Sequence, residues 1–302
     1  MIIGVILFGA GIFYNPFYNL GALSIRDPLF SHALLIPMVS LYFFWMDRKH
    51  IFSEVVYAPY RGAGLMAISV LVMFLQKSQF NSLSQTDTLS VQISCMVIWI
   101  MGGVVLICGW PSFKKALFPL LFLSFMIPLP SILLDPLVTF LQLGSAWSAI
   151  SILKLLNVPS YSHGIFIALP GVTIEVAKEC SGIRSGLALL ILCSVVCYMF
   201  LKSHRRRVIL AVSVIPVTIF KNGMRIATLA LLGTYVDIHY LTNSVLHSYG
   251  GKPFFLVAIL MLTPIFWMLK RAETKADKKK ELAKNGQPLS KVIEISKDFQ
   301  VT

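Results

Sequence analysis

The chain has 302 residues, of which 57% are hydrophobic and only 13% charged, and its mean hydropathy is +0.78. Soluble domains run about 45–50% apolar even with Gly counted, and about 25% charged, so a soluble globular protein is excluded and a polytopic membrane protein is the starting class. The formal charge of +13 would suggest nucleic acid in a soluble chain; here it is read as basic loops that set membrane orientation, and no nucleic-acid partner is expected.

Five cysteines occur without a CxxC pair or a Cys/His ligand spacing, which argues against a zinc module or a disulfide framework. Neither a metal nor another cofactor is expected. The N-terminus lacks a basic n-region and a clear cleavage site, so no removable signal peptide is read there.

A hydrocarbon core of about 30 Å takes roughly 20 apolar residues in a helix. In chain order, the segments that fit or nearly fit are residues 2–14, 33–46, 62–75, 90–109, 116–134, 181–201, 208–232 and 253–269, the first three being short. Residues 137–158 are also apolar, but Gly144, Ser145, Ser148 and Lys154 interrupt them. A polar tail begins at Lys270, which divides the chain into a membrane-embedded domain, 1–269, and a basic tail, 270–302.

Basic residues cluster at Arg48/Lys49/Arg61, at Lys114/Lys115, at Lys202/Arg205/Arg206/Arg207 and in the tail, which together hold 18 of the 26 Lys and Arg. The positive-inside rule makes all four places cytoplasmic. The expected fold is therefore an all-α bundle of about eight spans with both termini cytoplasmic. Residues 137–158 must then return to the outer side as a re-entrant or interfacial helix. The outer segments become 15–32, 77–89, 135–180 and 233–252. The longest contains SYSHGIFIALPGVTIEVAKEC, rich in β-branched residues with Pro170-Gly171 as a turn, which predicts a small extended or hairpin element on the outer face.

Ionisable groups inside spans are costly and mark functional sites. Arg225 lies 18 residues beyond Arg207, Cys180 22 residues before Lys202, and His247 23 residues before Lys270. At about 1.5 Å per residue these are depths of about 27, 33 and 35 Å from the inner boundary. A thiol, a guanidinium and an imidazole thus share one level at the outer edge of the membrane; whether they meet laterally depends on the fold.

Cys95, Cys108, Cys193 and Cys197 read as small packing residues. Cys180 differs: it opens a span between Glu179 and Ser181-Gly182, with Arg184 one turn on. A helix N-terminus and nearby cations favour a thiolate there, and Glu179 opposes it. Taken alone, His247 also fits an interfacial hydrogen-bonding histidine, and Arg225 a residue snorkelling to the headgroups. His32, His163 and His239 compete for the role of base. Glu175, Lys178 and Glu179 read as a solvated loop edge or as substrate contacts. Lys221 and Arg225, four residues apart, share a helix face. Two like charges there call for an anion, either Glu175, Glu179 or a substrate carboxylate, unless Lys221 snorkels to lipid phosphates. Such a set supports acyl transfer or peptide cleavage at the outer surface, with thiolate attack on an acyl carbon, a histidine moving the proton and a cation on the oxyanion.

Five stretches carry a resemblance to a known family: DPLFSHALLIPMVSLYFFWMDRKH, FMIPLPSILLDPL, SYSHGIFIALPGVTIEVAKECSGIRSGLALL, KNGMRIATLALLG and HSYGGKPFF. Together they resemble the exosortase family of the exosortase/archaeosortase group, with ECSGIRS, NxxR and HxxxG in that order as the specific core. The resemblance implies a cysteine transpeptidase or protease of the bacterial inner membrane whose active site faces the periplasm. Its partners would be exported proteins ending in a Pro-Glu-Pro-like motif, a transmembrane helix and a basic tail, together with an acyl acceptor. By motif position it assigns the nucleophile to Cys180, the arginine to Arg225 and the histidine to His247, with Asn222, Lys221, Glu179 and Arg184 as candidates for substrate binding. Some members carry a further soluble domain where this sequence continues as the basic tail. The competing readings are a protease that only hydrolyses the signal, and a transporter or non-catalytic membrane scaffold. A transporter would place its charges at the midplane within repeats, and neither is visible here.

Overall fold

The apolar segments fold as helices whose ends are set by caps, prolines and close backbone contacts. The computed structural model describes residues 2–79, 83–170, 172–236 and 251–284. The chain divides into two compact units, Met1–Val138 and Thr139–Thr302.

The first unit contains α1 (Ile2–Arg26), α2 (Leu35–Met46), α3 (Arg48–Ile51), α4 (Pro59–Gln79), α5 (Gln85–Lys115) and α6 (Leu117–Phe122), and α7 (Ser131–Leu155) begins in it. Ser84 caps α5 by accepting from the Asp87 N–H at 3.0 Å. Asp87 in its first turn complements the helix dipole, and Gly109, at φ 81° and ψ 176°, kinks α5 before the short stretch that ends in Lys114 and Lys115. Helices α4 and α5 lie close together: a side chain at Gly62 would collide with Leu106, and the buried Ser69 hydroxyl donates to the Cys95 carbonyl at 2.7 Å. Phe43 of α2 sets its ring edge-on against Phe118 and Phe122 of α6, with centroids 5.5 and 6.0 Å away.

The second unit holds the rest of α7, three short strands β1 (Tyr161–His163), β2 (Phe166–Leu169) and β3 (Val172–Glu175), then α8 (Ile183–Phe200), α9 (His204–Tyr235) and α10 (Gly251–Lys284). The strands form an antiparallel sheet in the order β1-β2-β3, with His163 opposite Phe166 and Leu169 opposite Val172. The expected extended element is therefore present, with a third strand that alternation alone did not separate. Its buried side chains Ile167 and Leu169 join a cluster with Ala146, Ala149, Ile150 and Leu153 of α7, Val176, and Ile226, Ala227 and Ala230 of α9. Cys193 and Cys197 are buried in the α8–α9–α10 core, as expected of packing residues. Where α8 meets α9, Glu273 of α10 accepts from the Lys202 and Ser203 N–H groups at 3.0 and 2.6 Å and from Arg206 at 3.2 Å.

Among the described residues, seven helical segments are long and apolar enough to cross a membrane: Pro28–Met46, Pro59–Gln76, Gln85–Lys115, Ser131–Leu155, Lys178–Phe200, His204–Tyr235 and Gly251–Glu281. With the 25-residue α1 beside them, the expected count of about eight agrees. Two segments exchange roles, however. Residues 116–134, expected to be one span, are α6 continued by a 3-10 turn, Leu123–Met126, and then non-helical backbone to Pro130. Pro128 and Pro130 remove backbone donors and push the preceding residues out of helical geometry. Of residues 137–158, expected to be re-entrant or interfacial, 137–155 belong to a continuous helix of 25 residues starting at Ser131, long and apolar enough to span. The small residues that look like interruptions form its contact with α9. A Cβ on Gly223 would collide with Ser148, and Gly144 lies against Ile219.

Candidate active site

Cys180 ends a 3-10 turn, Lys178–Cys180, and α8 starts only at Ile183. Between them Ser181 is buried and Gly182 takes a left-handed conformation, φ 86° and ψ 2°. That conformation costs an ordinary residue energy and costs glycine nothing, so the Ser-Gly pair turns the chain sharply from the loop after β3 into the helix. Cys180 is a free, half-exposed thiol at the corner.

Helix α9 holds this corner. Asn222 is fully buried, and its Nδ2 donates to the Cys180 carbonyl at 2.7 Å and to Ser145 Oγ of α7 at 3.0 Å. Its Oδ1 accepts no hydrogen bond among the described residues. Lys221, also buried, donates from Nζ to Ser185 Oγ in the first turn of α8. Ser185 Oγ in turn bonds the Gly182 carbonyl at 3.0 Å. Arg225, half-buried, follows Asn222 by three residues, about 4.5 Å further along the helix axis.

Asn222 and Lys221 are thus brought to the Cys180 turn, and Arg225 lies on the next turn of the same helix. Glu179 and Arg184 are exposed beside the turn. Neither Glu175 nor Glu179 forms an ion pair with Lys221 among the described residues; its partner is the Ser185 hydroxyl. His163 is exposed on β1. His32 belongs to the first unit. His239 and His247 lie outside the described residues. Among the described residues no group of three His, Cys, Asp or Glu is placed to hold a metal.

Sequence reasoning passed over Ser145 and Ser185. By sequence Ser145 is an interruption in an apolar segment, and Ser185 carries no signal of its own. The available signal was on the other helix: an adjacent Lys and Asn in an apolar run need polar partners on whatever faces them.

A family model described as transmembrane exosortase (Exosortase_EpsH) matches residues 24–264, which include Cys180, Asn222, Arg225 and His247. No curated protein and no solved structure matches the chain.

Proposed function

The chain belongs to the transmembrane exosortase family, and from that premise we propose that it is a membrane cysteine transpeptidase that cleaves C-terminal sorting signals of exported proteins through a thioester. The observation that carries this reading is the Cys180 corner, a half-exposed thiol whose own carbonyl is held by buried Asn222 of the helix that carries Arg225. Family membership supports the coarser assignment to membrane protein sorting. The residues themselves support acyl transfer or peptide cleavage by a thiol, and the sorting-signal substrate and the transfer step follow the family resemblance.

In this mechanism the Cys180 thiolate attacks the carbonyl carbon of the scissile peptide bond, and a C–S bond forms. Negative charge moves to the carbonyl oxygen, where Arg225 offers a planar, permanently charged donor. Collapse breaks the C–N bond, and His247 supplies the proton to the leaving amine. The remaining thioester is consumed by a nucleophilic acceptor, which restores the thiol. Basic stretches at Lys202–Arg207 and beyond Lys270 orient the protein with both termini cytoplasmic and the thiol on the periplasmic side of the inner membrane.

Replacing Cys180 tests the reading directly. Cys180→Ala should abolish processing of a sorting-signal substrate while the protein remains inserted. Cys180→Ser should fail almost as completely, because a hydroxyl without a strong base is a far weaker nucleophile. Cys193→Ala and Cys197→Ala serve as controls that keep activity. Processing by the inserted Cys180→Ala protein would end the covalent mechanism.

A further inference from the structure

We infer that Lys221 is a positioning residue for the nucleophile, acting through Ser185 on the backbone of the Cys180 turn; this rests on the reading of Cys180 as the nucleophile. The direction of the relay follows from donor accounting. A lysine ammonium only donates, so at the Lys221–Ser185 contact Ser185 Oγ accepts. The single hydroxyl proton is then free for the Gly182 carbonyl, 3.0 Å away. Adjacent residues of α9 therefore grip the carbonyls on either side of Ser181: Asn222 holds that of Cys180, and Lys221, through Ser185, holds that of Gly182. With both peptide planes held and Ser181 buried between them, the turn that presents the thiol has little freedom to rotate.

Serine alone could reach the Gly182 carbonyl, so the lysine needs its own physical reason. Burying an ammonium in a membrane-spanning helix is costly, and a second cation, Arg225, lies one turn away on the same helix. A charged donor polarises the hydroxyl it bonds and strengthens that hydroxyl's own donation. It also removes the hydroxyl's alternative rotamers. The same burial argues against Lys221 as a dock for a substrate carboxylate: the side chain is 2% exposed and already bonded.

The test uses the full-length protein in membranes. It has two readouts: kcat and KM for a sorting-signal substrate, and the alkylation rate of Cys180 by a small haloacetamide in a background where the other cysteines are alanine. Lys221→Met, of similar length but without a donor, should lower kcat about 10- to 100-fold, the cost of a slightly misplaced reacting group, with KM within about twofold. It should also change the alkylation rate. Ser185→Ala, scored on the inserted protein, should reproduce both effects. The double variant should be no worse than either single one, because one relay is broken once. Ser185→Thr, which keeps the hydroxyl, should restore activity. Normal kcat in Lys221→Met, a rise confined to KM, or additive losses in the double variant would each overturn the relay while leaving the Cys180 assignment intact. Processing that survives Cys180→Ala would overturn the nucleophile assignment instead, and the alkylation rates would still report whether Lys221 and Ser185 act together on the turn.

Discussion

Substituting Gly182 by alanine separates backbone conformation from crowding at the Cys180 corner. At φ 86° an L-residue is strained, at a cost of roughly 1–2 kcal/mol. The new Cβ would also lie 3.1 Å from Asn222 Cγ and 3.4 Å from its Oδ1. Asn222 must then move away from the Cys180 carbonyl and Ser145, and buried hydrogen bonds in membrane proteins contribute about 0.6 kcal/mol each, up to about 1.7. The sum is a destabilisation of about 2–5 kcal/mol, accompanied by a processing rate lowered about 10- to 100-fold as the thiol loses its placement. Gly186→Ala is the matched control. Its Cβ would lie equally close, 3.1 Å, to Thr218 Cγ2, but Gly186 is an ordinary helical residue. Alanine there gains about 1 kcal/mol of helix propensity against the tight contact, for a net change near zero. The assay compares heat resistance in detergent and turnover of a sorting-signal peptide for the two variants. If Gly182→Ala matched Gly186→Ala in heat resistance and kept processing within about twofold of wild type, the left-handed turn would not be what presents the thiol.

Arg225→Lys keeps the charge but loses the planar fork, so it should be severely impaired if Arg225 holds the oxyanion; near-normal processing would assign Arg225 to the headgroups instead. For topology, single cysteines introduced in a cysteine-free background at Ser203 and Thr274 should be protected from an impermeant thiol reagent in intact spheroplasts, whereas one at the exposed Thr173 of β3 should react; labelling of Ser203→Cys from outside would reverse the orientation. Glu273→Ala removes the acceptor shared by two backbone N–H groups and Arg206 at the α8–α9 junction, and should destabilise the protein by about 1–3 kcal/mol. Because Glu273 belongs to α10 and holds the N–H groups that lead into α9, at the end of α8 remote from Cys180, KM should stay unchanged, and a KM shift would argue for a role in substrate binding.

The membrane class and the approximate number of spans are legible in the residues because each rests on one-dimensional physics. Apolar length against bilayer thickness and the depth of a residue from a basic boundary need no knowledge of neighbours. The extended element before Cys180 was legible for the same reason, since β-branched runs and Pro-Gly turns act locally. Partnership was not. The serines and glycine of residues 144–148 weaken a helix judged by itself, yet the shallow surface they leave is what lets α7 lie against Gly223 and bring Ser145 to Asn222. Conversely, residues 116–134 are apolar enough to span, but the two prolines end the helix. The charge of Lys221 leaves both a counter-anion and snorkelling to lipid phosphates open, whereas the hydrogen bond to the neutral Ser185 hydroxyl one helix away depends on the packing of α8 against α9. Burial and hydrogen-bond satisfaction are properties of pairs of surfaces, and a pair exists only once the chain has folded.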